Sequence, residues 1–400
     1  MRTASLARLV SAAIAGGAAA SPALADWSIR PEAAVEMRVF PSDPADPAQF
    51  ETLQGGLVLT GDARWRSEDR DTQIRIEPFL RLDTQDEDRT YFDIREANLN
   101  HRFGDFDLTL GAAQVFWGVA ESHNPVDVIN QIDTLEDVDG DEKLGQPMVR
   151  LSWRGDYGLF EAYYLPFFRE RRFPGPEGRL RTRPVVDEDA AVFTRDGDEF
   201  AGDFALRFAN RFGDVDLGLH AFYGTGRDPD LVFDPTTAAL RPVYRRLMQF
   251  GADAQYTSGP WLLKAEAVAG EFGDETFFAG VAGFEYTFFD LAETGIDLGV
   301  IAEYLYDDRG DLNQPRAIFD NDVFAGARLT LNDIADTELL AGAIIDHDTG
   351  AVQGSVEYQR RIGERTLLEA EIRIFEGSKD PFVSSFSKDD FATIRLTYFF

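Results

Sequence analysis

The last ten residues, Phe391 to Phe400, read F-A-T-I-R-L-T-Y-F-F and alternate with the period of an extended strand. Ala392, Ile394, Leu396, Tyr398 and Phe400 fall on one face, and Thr393, Arg395, Thr397 and Phe399 on the other. One face suits hydrocarbon and the other suits water. The aromatic end matches the interfacial girdle that anchors membrane-spanning strands. A half-buried strand closing a soluble β-sandwich would alternate in the same way, so the rest of the chain has to separate the two.

About eighteen stretches of this kind follow one another, broken by Gly, Asp, Asn and Pro turns. In Gln73 to Asp83, Ile74, Ile76, Leu80 and Leu82 oppose Arg75, Glu77, Arg81 and Asp83; Asp214 to Tyr223 and Val352 to Arg361 repeat the pattern. The breaks have a parity. Those after even strands are short (Gly104-Asp105, Gly155-Asp156, Gly213-Asp214, Ser258-Gly259-Pro260, Gly363-Glu364), and most after odd strands are long: Pro41 to Gln49, Gly118 to Gln146, Arg169 to Asp198, Gly226 to Arg245, Asp307 to Asp320 and Gly377 to Lys388. Gly273-Asp274 and Asn332 to Thr337 break the rule. Short turns on one side and long loops on the other predict an all-β fold, a transmembrane antiparallel β-barrel of 16 to 18 strands. A barrel of that size leaves an aqueous channel, so its charged rows would look inward.

Residues 1–25 have the form of an export signal: Arg2 and Arg8, an apolar run from Leu9 to Ala20, and Ala23-Leu24-Ala25 before the expected mature start at Asp26. One barrel over 26–400 is expected, with no linker. Taking Arg2 and Arg8 from the 39 basic residues leaves 37 against 71 acidic ones, a formal charge of -34 that disfavours nucleic acid. There is no cysteine, which excludes disulfides and thiolate chemistry. After the signal, no apolar run is long enough for a membrane helix.

The stretch Gly111-Ala-Ala-Gln114-Val-Phe-Trp117-Gly118, with Asn124-Pro125-Val126-Asp127-Val128-Ile129-Asn130 after it, is the most distinctive. It resembles the pattern of a family of uncharacterised Gram-negative outer-membrane barrels, catalogued as a domain of unknown function, in which a G-x-x-Q-x-x-W-G strand end leads to an N-P-x-D turn. Tyr163-Tyr164-Leu165-Pro166-Phe167 and the Arg- and Pro-rich loop beyond are similar as well, so the resemblance spans about residues 108 to 180. It implies a porin-like protein of the cell outer membrane and names no solute. More distantly, the chain is similar to general porins, whose third outer loop folds inward and narrows the channel. The closing strand resembles the signal by which such proteins are handed to the barrel-assembly machinery. Lipid, that machinery and small polar solutes are thus the implied partners; a homotrimer is compatible with the resemblance, as is a monomer.

Asn124 is a good N-cap, Pro125 suits the first helical position and Asp127 could bind the free amides, which predicts a short helix whose Val126, Ile129 and Ile132 pack against an inner wall. Trp117 as an interfacial anchor and the N-P-x-D turn as a plain cap remain alternatives. The third outer loop carries Glu121, Asp127, Asp133, Glu136, Asp137, Asp139, Asp141 and Glu142 against Lys143, a net of -7. The fourth carries Arg169, Arg171, Arg172, Arg179, Arg181 and Arg183 against Glu170 and Glu177, a net of +4. Both entering the lumen would set up a transverse field that sorts solutes by charge; both staying in solvent would leave them as surface. Candidate pore-lining residues are Arg75, Arg81, Arg150, Glu357, Glu371, Arg373 and Arg395 from strands, with Glu121, Asp127, Arg169, Arg171 and Arg172 from loops.

Other chemistry is weakly signalled. Asp137-Val-Asp139-Gly140-Asp141-Glu142 lacks the EF-hand ligand at Leu135, and His101, His123, His220 and His347 have no metal spacing, so no metal or cofactor is expected. Ser122-His123 is a poor nucleophile-base pair, because neighbours on a strand point apart, and Asp346-His347-Asp348 reads as a polar loop tip, so no enzyme is expected. The competing class is a non-conducting barrel with an adhesion, scaffold or envelope-assembly role.

Overall fold

The computed structural model describes residues 27–310 and 318–400; the expected signal and Asp26 lie outside the described residues, as does part of the break expected at Asp307 to Asp320. The alternating stretches form β1 (Trp27–Val39), β2 (Leu53–Arg66), β3 (Thr72–Asp83), β4 (Tyr91–Phe103), β5 (Phe106–Ala113), β6 (Gln146–Gly155), β7 (Gly158–Leu165), β8 (Val192–Phe193), β9 (Asp203–Phe212), β10 (Val215–Thr225) and β11 (Asp230–Asp234). They continue as β12 (Ala239–Tyr244), β13 (Arg246–Ser258), β14 (Trp261–Phe272), β15 (Glu275–Phe288), β16 (Asp297–Asp307), β17 (Asn321–Thr330), β18 (Glu338–Asp346), β19 (Val352–Ile362), β20 (Thr366–Glu376) and β21 (Phe391–Phe399). All but β8, β11 and β12 belong to one 18-stranded antiparallel meander, which closes where β1 meets β21, with Glu36 opposite Arg395 and Met37 opposite Ile394. Closure removes the sheet edge and satisfies the backbone within the wall, the condition for crossing hydrocarbon. The three remaining strands make a small sheet among the outer loops.

The expected loop parity is present. One rim carries L1 (40–52), L2 (84–90), L3 (114–145), L4 (166–202), L5 (226–245), L6 (273–274), L7 (described at 308–310 and 318–320), L8 (347–351) and L9 (377–390). The other rim is mostly tight turns. At Gly104 and Gly213 the backbone has φ of 62° and 64°, a conformation that glycine adopts without Cβ strain. The eight-residue turn at 289–296 is a further exception on this rim.

The wall is apolar outside and polar within. Ile394, Leu396 and Tyr398 of β21 are exposed, whereas Thr393 and Thr397 are buried. Exposed aromatics gather towards both strand ends: Phe103, Phe106, Trp153, Phe160, Tyr256, Trp261, Phe288 and Phe400 near the tight-turn rim, and Phe92, Tyr164, Phe204, Tyr223 and Phe278 near the other. Neighbouring rings touch from strand to strand, as in Phe103 to Phe106 (5.6 Å) and Trp153 to Phe160 (5.4 Å). Two aromatic girdles bounding an aliphatic band is the exterior of a transmembrane barrel.

Candidate pore constriction

L3 folds inside the barrel as a second layer. Its root is fixed by Trp117, buried edge-on against Tyr163 (5.6 Å) and beside His220 (5.1 Å), with the Arg207 guanidinium 5.0 Å from its ring centre. Trp117 is therefore an inner anchor, and the interfacial alternative is ruled out. Val126, Val128 and Ile129 continue this cluster, packed with Phe222, Leu247, Val268 and Phe277 of the inner wall.

The expected helix at Asn124–Asn130 is absent: a single turn, closed by the Asp127 N–H on the Asn124 carbonyl (3.0 Å), gives way to irregular backbone. Its polar groups find partners across the chain instead. The Asn130 side chain accepts from the Val115 N–H (2.9 Å) and donates to the Ala113 (2.9 Å) and Leu144 (2.8 Å) carbonyls; Gln131 donates to the Arg227 carbonyl (2.8 Å). With such partners available, the cost of nucleating a short helix is not repaid. The Asp127 carboxylate faces Lys143 (3.3 Å) and the Trp117 N–H (3.4 Å) rather than capping a helix. Gly118 has φ of 141°, and a Cβ there would lie 2.2 Å from the Asn124 Oδ1, which explains the W-G before N-P.

Beyond this cluster L3 is tied to two sides of the bore. On the β14–β17 side, Glu266 accepts from the N–H groups of Val119 (2.6 Å) and Ala120 (2.9 Å). Glu303 accepts from the N–H of Glu121 (2.8 Å), the N–H of Ser122 (2.9 Å) and the Ser122 hydroxyl (2.6 Å). The Glu121 side chain meets Arg328 (2.6 Å) and Lys264 (3.3 Å). On the β1–β4 and β21 side, Arg81 forms a two-pronged pair with Glu36 (3.1 Å each) and donates Nε to Glu136 (2.7 Å), which also takes Arg395 (2.9 Å). Asp133 accepts from the Tyr91 hydroxyl (2.6 Å) and pairs with Arg95 (2.5 Å), and Asp137 reaches Arg38 (3.4 Å). Burial opposes the charge on Glu136, but Arg81 outweighs it and holds the carboxyl down at about 2.

L4 does something different from what its charge suggested. Arg179 is fully buried, pairs with Asp389 (2.7 Å) and donates to the Ser42 (3.1 Å) and Lys388 (2.6 Å) carbonyls, which ties L4 to L1 and L9. Arg181 pairs with Asp46 (3.1 Å), Arg183 donates to the Ser385 carbonyl (2.8 Å) and Arg171 pairs with Asp228 of L5 (2.5 Å). Arg169 pairs with Asp93 (2.8 Å), and Arg172 lies over the Tyr91 ring (4.7 Å). Phe40, Leu180, Phe375, Phe386 and Phe391 form an apolar core under this cap. Apart from the internal Asp127–Lys143 pair, the salt bridges of L3 run to the barrel wall and those of L4 mainly to other outer loops, not to each other.

Of the other sequence candidates, Arg75 lies lower on the inner wall among Glu77 (2.7 Å), Asp62 (3.1 Å) and Glu96 (3.1 Å), and Arg150 donates to Thr109 (3.1 Å). Arg373 pairs with Asp139 (2.7 Å), Glu357 (3.1 Å) and Glu371. Arg81 and Asp127 face inward but are sealed by their partners, so they hold L3 rather than meet water. Ser122 is bonded to Glu303, and the His123 ring packs on Phe319 (5.4 Å), so the two do not form a nucleophile-base pair. At the outer rim, Asp320, Asp346 and Asp348 each bring a carboxylate oxygen within 4.8 Å of the others. Glu36, Arg95, Glu266, Glu303 and Arg328 were missed. Each is one charge on a strand's inner face, and alternation gives the face but not the loop atom it meets.

Replacing Glu303 by leucine strands two backbone amides of L3 within the bore. The expected cost is about 1–3 kcal/mol for each unsatisfied donor, read as a lower thermal unfolding midpoint in detergent and a larger, noisier channel conductance.

No protein-family model matches the chain, nor does any curated protein, so the narrower resemblance to the family of unknown function rests on its motifs. Solved structures do match. A BenF-like porin from Pseudomonas fluorescens Pf-5 superposes with a TM-score of 0.54 at 10% identity, covering 93% of this chain and 98% of that one. OprB from Pseudomonas putida, in a high-pH structure, gives 0.47 at 9% identity over 94% of each chain, and a mutant Rhodopseudomonas blastica porin gives 0.46 at 10% over 94% of this chain and 100% of that one. At such identities the likeness is one of fold: the 18-stranded closed barrel of this chain matches the fold of an outer-membrane porin.

Proposed function

We propose that the protein is a passive channel of the outer membrane for small hydrophilic solutes, narrowed by L3 and selective for charge, with L4 and its partner loops as an outer cap. The observation that carries this is L3 itself, an inward layer pinned to two sides of the wall by Glu266 and Glu303 and by the Arg81 cluster, yet leaving part of the inner wall uncovered. A barrel built only to display loops has no need of such a crossing segment. Arg75, Arg150, Arg373, Arg395 and Glu121 are the proposed lining charges, with Arg169, Arg171 and Arg172 acting from the outer side. An export signal at 1–25, insertion through the assembly machinery and diffusion without a chemical step belong to the same proposal.

Purified protein reconstituted in planar bilayers should give discrete conductance steps and a reversal potential in a salt gradient. Silence from protein whose insertion is verified by protease protection would favour the non-conducting scaffold or adhesin.

A further inference from the structure

Around most of the ring, inward side chains in the outer half of the strands are buried against the loops; Glu36, Arg81, Tyr163, Phe222, Ile301 and Phe324 are examples. The inner faces of β18, β19 and β20 differ. Ile344, Gln353, Ser355, Glu357, Glu371 and Arg373 keep part of their surface open at the same level. The contrast is large: Arg81 and Glu136 are 0% and 4% exposed, whereas Asp139 of L3 is 25% and the facing Glu357 is 43% exposed. Register fixes the direction of these residues, since Ile344 pairs with Gln353, Ser355 with Arg373 and Glu357 with Glu371, all on the face that carries Phe324.

We propose that the open passage runs off the barrel axis, between L3 and the inner faces of β18–β20, and that its excess of carboxylates makes it select small cationic solutes over anions. This rests on the channel reading above and gives it a route and a sign. Asp139 and Asp141 from L3 and Glu357 and Glu371 from the wall surround the Arg373 guanidinium, and the other cations near them, Lys143 and Arg38, are themselves paired with Asp127 and Asp137. Arg328 on β17 is itself ringed by Glu121 (2.6 Å), Glu338 (2.9 Å) and Glu285 (3.9 Å). The arginines of L4 offset little of this charge, because Arg169, Arg171, Arg181 and Arg179 are already paired with Asp93, Asp228, Asp46 and Asp389. Leu340 and Ile344 form an apolar strip along the adjoining strand, next to Val281, Ile301 and Phe324. A low-polarity wall beside fixed carboxylates focuses their field on whatever passes, and rings of acidic side chains are a general way to favour cations.

The preference should depend on pH. Crowding within the bore, and then the charge of Asp137, pushes the Asp139 carboxyl up to about 8, with Asp141, Glu357, Glu371 and Arg373 as its other charged neighbours. A raised carboxyl is neutral below that value and charged above it, so cation preference should grow as pH rises from 6 to 9.

The cysteine-free chain makes the test clean. Ser355→Cys is introduced on the inner face and Val356→Cys, facing lipid, serves as control. Each is treated in planar bilayers with a trimethylammonium methanethiosulfonate, and reversal potentials are read in a potassium chloride gradient. The unmodified channel should prefer potassium. Labelling Ser355→Cys should cut conductance and shift the cation-to-anion permeability ratio by roughly two- to five-fold, the scale of one charge near contact in water, and Glu357→Gln should shift it the same way. Labelling Val356→Cys should change neither. Anion preference, or conductance indifferent to the label at Ser355→Cys, would overturn the route and its sign while leaving a channel. Absence of any conductance would instead remove the channel itself.

Discussion

Arg81→Ala should destabilise the barrel by about 3–5 kcal/mol and free the inner end of L3, because it leaves Glu36 and Glu136 buried without their cation. The loss has two readouts: a lower unfolding midpoint in detergent and a larger single-channel conductance. Removing the carboxylates and their second cation as well, in an Arg81→Met, Glu36→Leu, Glu136→Leu, Arg395→Met variant, should recover much of the stability, since the penalty comes from orphaned charge rather than from lost attraction. If Arg81→Ala unfolds at the parent's midpoint with the parent's conductance, the cluster does not dock L3. The sign with pH is set by Glu136. Its folded carboxyl, at about 2, lies below its ordinary 4.5, so its contribution is complete above the latter value and is lost as pH falls towards the former. The Glu136 contribution to the docking of L3 should therefore hold through neutral pH and weaken in acid.

Trp117→Ala should cost about 3–5 kcal/mol, the range for emptying a buried aromatic site, and should act on the root of L3 rather than on its tip. The space left lies against Tyr163 and His220 and under the Arg207 guanidinium, so Trp117→Phe should lose less by keeping the ring contacts. Broadened conductance levels with the barrel still closed, judged by retained β-sheet circular dichroism, is the expected pattern. Unchanged conductance and stability would return Trp117 to the role of a dispensable side chain.

The barrel was legible because lipid imposes one rule on every strand, so that local alternation carries global information. Ile76 and Leu82 against Arg75 and Arg81, or Ile394 and Leu396 against Thr393 and Arg395, could be assigned to outside and inside without knowing any partner. Loop parity gave the orientation of the hairpins, and even the departure at Gly273-Asp274 proved real, as the two-residue L6. The constriction obeyed no such rule. The N-P-x-D segment has the local marks of a helix start, yet its Asn130 and Asp127 side chains accept from the amides of Val115 and Trp117 and its Ile129 carbonyl accepts from Arg227, contacts that exist only after L3 has folded back.

The sequence by itself determined a closed membrane barrel, its two faces, its long and short rims, and the acidic and basic characters of L3 and L4. Only the tertiary structure decided what those charges meet: Glu136 finds Arg81, 55 residues away, and Arg395, 259 away, while Arg171, Arg179 and Arg181 of L4 go to the neighbouring loops. The physical reason is that alternation is a property of each strand in contact with its solvent. Which wall a loop leans on, and which sector it leaves open, is fixed by side chains that the chain brings together only by closing the ring.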